Sequence, residues 1–80
     1  GFYIRTEVKS AIGRADAVCY TDNCIYVFEF KVDGSAEEAL KQIDDKGYML
    51  PYKFEKGKNL VKVGVNISSQ TRTVEKWIAR

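Results

Sequence analysis

Three carboxylates and a lysine carry the chemistry of this chain. With residues 6–9, 14–21 and 24–32 read as strands, Glu7, Asp16 and Glu29 fall in one row across three neighbouring strands, with Lys31 beside them. Two short turns set this pairing. Asp22 and Asn23, as a two-residue hairpin turn, place Thr21 opposite Cys24; counting back along both strands brings Asp16 opposite Glu29 and Arg14 opposite Lys31. Ser10 to Gly13, as the preceding loop, place Lys9 opposite Arg14 and Glu7 opposite Asp16, so the three acids share a face. Facing side chains lie roughly 4.5–5.5 Å apart, where like charges destabilise a sheet unless something neutralises them. A divalent cation would do so.

A solvated strand face, on which Arg5, Lys9, Arg14 and Lys31 pair with the acids, is the competing reading, and a one-residue slip would throw the row onto opposite faces. The third strand argues against a solvated face. Glu29 and Lys31 follow Ile25 and Val27, and the alternate positions Tyr26, Phe28, Phe30 and Val32 are all apolar, the pattern of a strand buried on both sides. Burying a carboxylate and an ammonium is costly unless they have partners. Acids at this spacing suit Mg²⁺ or Mn²⁺, a hard cation that takes one or two carboxylates and leaves positions for water and phosphate oxygens. Lys31, two residues from Glu29 and on its face, is placed to orient a water or to stabilise charge on a phosphorane. Phosphodiester hydrolysis is the matching reaction class.

These residues also carry a resemblance. Gly13-Arg14-Ala15-Asp16-Ala17-Val18, the hairpin, and Tyr26-Val27-Phe28-Glu29-Phe30-Lys31 resemble the PD-(D/E)xK nuclease superfamily, with an acid on one strand and E-x-K on the next. Glu29 to Val32, the stretch Ala36 to Ile43, Lys46-Gly47-Tyr48 and Pro51-Tyr52 resemble one bacterial branch, found as the C-terminal domain of proteins with an ATPase-like N-terminal module. The likeness runs from about residue 6 to Trp77. It implies Asp16 and Glu29 as metal-binding acids, Lys31 as the catalytic lysine and Gln42 as a helix glutamine near the site. Glu7 is added by the strand geometry alone. The resemblance further implies DNA as substrate, an ATPase-like module in the same parent chain, and a bacterial cytoplasmic setting. Two positions depart from the pattern. Ala15 stands where the signature has proline, and the chain starts in a strand where the family fold starts with a helix bearing a further acid. The expectation is therefore one nuclease-like domain over residues 1–80 that is a fragment of a longer protein.

Composition agrees with one small domain: 80 residues can bury only about 60% of the surface of the unfolded chain. A formal charge of +2 is far from the basic excess of a dedicated DNA-binding domain, so any nucleic-acid footprint is local. Lys53, Lys56 and Lys58, with Tyr52 or Phe54 nearby, make one such cluster, and a solvated loop is the equal alternative. Cys19 and Cys24 are diagonal neighbours in this register and match neither a disulfide framework nor, without histidine, a zinc site. No apolar run approaches a membrane span.

The remaining elements form the scaffold of an α/β (α+β) domain with a restriction-endonuclease-like core. Ser35 with Glu38 is a capping box, and Ala36, Ala39, Leu40, Ile43 and Gly47 share one face of a helix over about 36–49. This crossover helix is expected over the face bearing Ala15, Ala17, Cys19, Phe28 and Phe30. It makes a strand at 60–67 parallel to the third strand, with Gly64 marking a close approach, and a last strand at 71–78 returns antiparallel after Ser68-Ser69-Gln70. The result is a mixed sheet of about five strands. Trp77 reads as a core or edge cover, Tyr48 as packing at the helix end, and an open sheet edge offers a route to a homodimer. Two functions fit: a metal-dependent nuclease, favoured by the intact motif, and a non-catalytic interaction or nucleic-acid-binding module, favoured by the low charge.

Overall fold

Five strands and one capped helix are strung in an order that keeps chain neighbours adjacent in space. β1 (Tyr3–Lys9), β2 (Arg14–Tyr20) and β3 (Cys24–Val32) form an antiparallel meander, and α1 (Ala36–Asp45) then crosses over. After a short 3₁₀ turn at Leu50–Tyr52, β4 (Asn59–Ser68) runs parallel to β3 and β5 (Thr73–Ala79) returns antiparallel. The sheet order is β1-β2-β3-β4-β5. This computed structural model describes the backbone of residues 3–9, 14–53, 55 and 57–80, and side chains from Ala15 onward within those ranges.

Both meander registers are the expected ones, although the Ser10 to Gly13 loop itself lies outside the described residues. Thr6 pairs with Ala17 and Val8 with Ala15, while Ala17 pairs with Phe28 and Val18 with Val27. At the hairpin, the Thr21 amide donates to the Cys24 carbonyl at 2.9 Å, and Thr21 Oγ1 accepts from the Cys24 amide at 2.9 Å. The threonine hydroxyl thus substitutes for a backbone acceptor and locks the Asp22-Asn23 turn.

The helix forms where its caps allow. Ser35 is extended, and its hydroxyl accepts from the Glu38 amide at 2.9 Å, satisfying one of the first-turn N–H groups. The helix ends sooner than the periodicity predicts. Gly47, at φ 68, turns the chain left-handed, so the Tyr48 amide donates to the Ile43 carbonyl and the Gly47 amide to the Asp44 carbonyl, the paired bonds of a Schellman ending. Ala36, Ala39, Leu40 and Ile43 make its buried face.

One expectation is corrected. α1 lies over the face of β3 that carries Ile25, Val27 and Glu29, not over the face of Phe28 and Phe30. Val18, Ile25 and Val27 pack with Leu40, Ile43 and Tyr52 in the core. Gly64 explains the choice: a Cβ there would stand 2.4 Å from the Ala36 carbonyl oxygen and 3.0 Å from the Leu40 amide nitrogen, so only glycine lets the helix settle on β4. Exposed ion pairs of Lys76 with Glu37 (2.7 Å) and Lys62 with Asp44 (2.9 Å) flank this contact.

The second correction follows from the first. β3 is buried on one face only. On the other, Phe30 is 40% exposed, Val32 64%, Val74 56% and Trp77 64%, so Trp77 covers no core. Phe30, Val74 and Trp77 line one apolar surface with Tyr26, Phe28, Val63 and Val65. A register shift in β5 between its pairings to Asn66 and Ile67 is what puts both Val74 and Trp77, three residues apart, on that face. The cysteines are both free.

Candidate active site

The site lies where the β2–β3 ladder stops. Pairing runs to Ala17 and Phe28, and at the next step the Asp16 carboxylate intrudes: its Oδ2 accepts from the Phe30 amide at 2.9 Å. That charge-assisted bond fixes the side chain where the ladder would have continued. The expected pairing of Arg14 with Lys31 lies beyond the ladder's end. Asp16 and Glu29 are nevertheless brought together: the register places them opposite one another one step past the last pair, and Asp16 is held there by the Phe30 amide next to Glu29.

Glu29 is 4% exposed. Its position follows from the parallel register, which pairs it with Gly64, the residue over which α1 passes most closely. The helix then supplies a partner. Gln42 Nε2 donates to Glu29 Oε2, and Lys31 Nζ donates to Gln42 Oε1, so one amide links the lysine to the acid and its orientation is set by both ends. Glu29 Oε1 is buried without a hydrogen-bond partner among the described residues. Burial, then the charge of Asp16, push the Glu29 carboxyl up to about 7, against the opposing pull of the Lys31 ammonium. A cavity of about 290 Å³ opens beside Lys31, walled by Gln42 and Asp45 of the helix and by Lys46.

Of the residues singled out by sequence, Asp16, Glu29, Lys31 and Gln42 therefore share one site. The backbone of Glu7 belongs to β1, between the residues paired with Ala17 and Ala15, and its side chain lies outside the described residues. Among the described residues no cluster of three acidic, cysteine or histidine side chains is assembled. Of the lysine cluster after Tyr52, Lys58 donates to the Thr21 carbonyl at 2.5 Å, while Lys56 and Phe54 lie outside the described residues.

The residues present fit a hard divalent cation. An acid pushed up to about 7 by burial and then by a second acid, with a buried oxygen that has no hydrogen-bond partner among the described residues, is the arrangement that a cation relieves.

Sequence reasoning missed the clasp behind Lys31. The Asp33 amide donates to the Ile67 carbonyl at 2.9 Å, and the Asp33 carboxylate accepts from the Ser69 amide at 3.0 Å and from the Ser69 hydroxyl. The buried Asn66 accepts from the Gly34 amide at 2.9 Å through Oδ1. Asp33-Gly34 straight after a strand was the available turn signal, and Asn66 between Val65 and Ile67 the available sign of a buried polar role.

A mixed sheet with an acid on one strand, E-x-K on the next and a single crossover helix above them defines a nuclease-like domain with a restriction-endonuclease-like core. The chain belongs to the PD-(D/E)XK nuclease superfamily, whose family model matches residues 1–77. It is also similar to a protein of Azotobacter chroococcum mcd 1 described as an uncharacterized protein in the vnfD 5' region, with 36% identity over 76 residues and 92% of this chain covered. The chain spans only 14% of that relative's length. No solved structure matches it. Divalent metals are typical of the superfamily. No helix among the described residues is long and apolar enough to cross a membrane.

Proposed function

We propose that the domain hydrolyses DNA phosphodiester bonds with Mg²⁺ or Mn²⁺ held by Asp16 and Glu29. The observation that carries this reading is the buried Glu29, one oxygen unpartnered, set beside Asp16 and tied through Gln42 to Lys31. The cation would supply Lewis-acid polarisation of the phosphate and a water of lowered pKa. The protein's own groups do the rest. The Phe30 amide holds Asp16 in place, and Gln42 holds the Glu29 carboxylate through Oε2. The Lys31 Nζ, drawn onto Gln42 Oε1 at the cavity wall, places a positive donor where charge develops on the phosphoryl oxygens. Glu7 would add a third oxygen ligand from β1.

A second reading is supported by the exposed row of Phe30, Val32, Val74 and Trp77, an uncharged surface of the kind partners cover. There the domain is a non-catalytic interaction or nucleic-acid-binding module at the C-terminus of an ATPase-like protein, and a homodimer through the open β5 edge is a further arrangement. Isothermal titration of Mn²⁺ into the chain and into Glu29→Gln discriminates. The nuclease reading expects binding by the parent alone, together with metal-dependent cleavage of duplex DNA. Absence of binding by both chains favours the interaction module.

A further inference from the structure

We infer that the β4–β5 hairpin, through Arg72, is a second contact to the DNA backbone, placed a fixed distance from Lys31. This rests on the nuclease reading and names the surface that holds its substrate. Four hydrogen bonds weld the hairpin to the residues directly after Lys31: Asp33 amide to Ile67, Ser69 amide and hydroxyl to Asp33, and Gly34 amide to Asn66. Lys31 and Asn66 are register partners, so the hairpin rises from the same end of the sheet as the site. Arg72 is joined by its amide to the Ser68 carbonyl, and Ser68 stands two residues beyond Asn66 on β4.

The tip is chemically suited to a polyanion. Ser69, Gln70, Thr71 and Arg72 are all exposed and polar, and none of them is acidic. Of the acids around the hairpin, Glu37 is paired with Lys76 and Asp33 accepts from the Ser69 amide and hydroxyl, while Glu75 lies on β5, three residues beyond Arg72. No acid pairs with the Arg72 guanidinium among the described residues, and its backbone is held at φ 59 by a 2.8 Å bond from its amide to the Ser68 carbonyl. A non-glycine residue in that left-handed region is uncommon. Here the arginine closes the turn at the start of β5, and the turn is tied to Asp33 through Ser69, so its backbone sits on a fixed platform instead of a loose loop. Phosphate contacts of this sort set position and carry no sequence information.

The test is fluorescence anisotropy of a labelled duplex oligonucleotide without added metal, over a range of salt concentrations, for the parent chain, Arg72→Asn and Arg72→Lys. Asparagine tolerates the left-handed backbone and removes the charge; lysine keeps the charge. The expected result is that the slope of log affinity against log salt is smaller by about 0.9 in Arg72→Asn, the signature of one lost phosphate contact, and is retained in Arg72→Lys. Between 50 and 200 mM salt, that difference amounts to about a threefold smaller loss of affinity. Binding by the parent with an unchanged slope in Arg72→Asn would overturn the hairpin contact and leave the nuclease reading standing. Absence of duplex binding by the parent would overturn both.

Discussion

Replacing Glu29 with glutamine should stabilise the metal-free protein above neutrality and have little pH-dependent effect in acid. Glu29 binds its proton more tightly in the folded state, its carboxyl moving from 4.5 to about 7 chiefly through burial and then through Asp16. Between those values the folded protein holds a proton that the unfolded chain has lost, so stability falls as pH rises, by about 1.4 kcal/mol per pH unit. The contribution is complete below about 4.5 and gone above about 7, a total of about 3 kcal/mol. Glutamine is neutral throughout and keeps an acceptor for Gln42 Nε2. Relative to the parent, Glu29→Gln should therefore gain about 3 kcal/mol between pH 4 and pH 8. For a domain of this size that is roughly 12–24 °C of relative Tm.

Thermal or urea unfolding followed by circular dichroism at pH 4, 6 and 8 gives the difference directly. Only its change with pH matters, since the amide's different packing adds a constant. A gap between the two proteins that is flat with pH would refute the reasoning, because Glu29 would then not be the group that titrates. Adding Mg²⁺ or Mn²⁺ at pH 8 should narrow the gap, raising the Tm of the parent and leaving that of the variant unchanged.

The helix contacts yield two further outcomes. Gly64→Ala forces a Cβ to within 2.4 Å of the Ala36 carbonyl oxygen, so α1 must lift from β4; the expected loss is at least about 2 kcal/mol, read as a fall of roughly 10 °C in Tm, and a neutral effect would mean the helix does not seat there. Gln42→Met keeps the volume but removes the amide between Lys31 and Glu29, and should weaken Mn²⁺ binding at pH 7 by about tenfold while shifting Tm little; unchanged affinity would strip Gln42 of its place in the site.

The sequence disclosed the parts of the site that depend on counting along strands and concealed those that depend on which face the helix covers. Turn chemistry at Asp22-Asn23 fixes the β2–β3 register, and from it the meeting of Asp16 with Glu29 follows by arithmetic. Capping by Ser35 and the close approach at Gly64 were equally legible, because each is a local steric or hydrogen-bonding requirement. The face was not legible. Phe28 and Phe30 are as apolar as Ile25 and Val27, so hydrophobicity cannot tell a covered side of β3 from an open one.

What decides the face is the offset between parallel strands, which no local pattern encodes. The structure sets Glu29 beside Gly64 and Lys31 beside Asn66. Once Glu29 is the neighbour of the one residue in β4 without a side chain, the helix that fills that gap must lie over the acid. The same contact that completes the core thus desolvates Glu29 and delivers Gln42 to it. Stability and site are coupled through this contact: seating α1 on Gly64 brings the apolar face of the helix onto the sheet and, in the same step, buries a carboxylate beside Asp16 whose charged form burial disfavours.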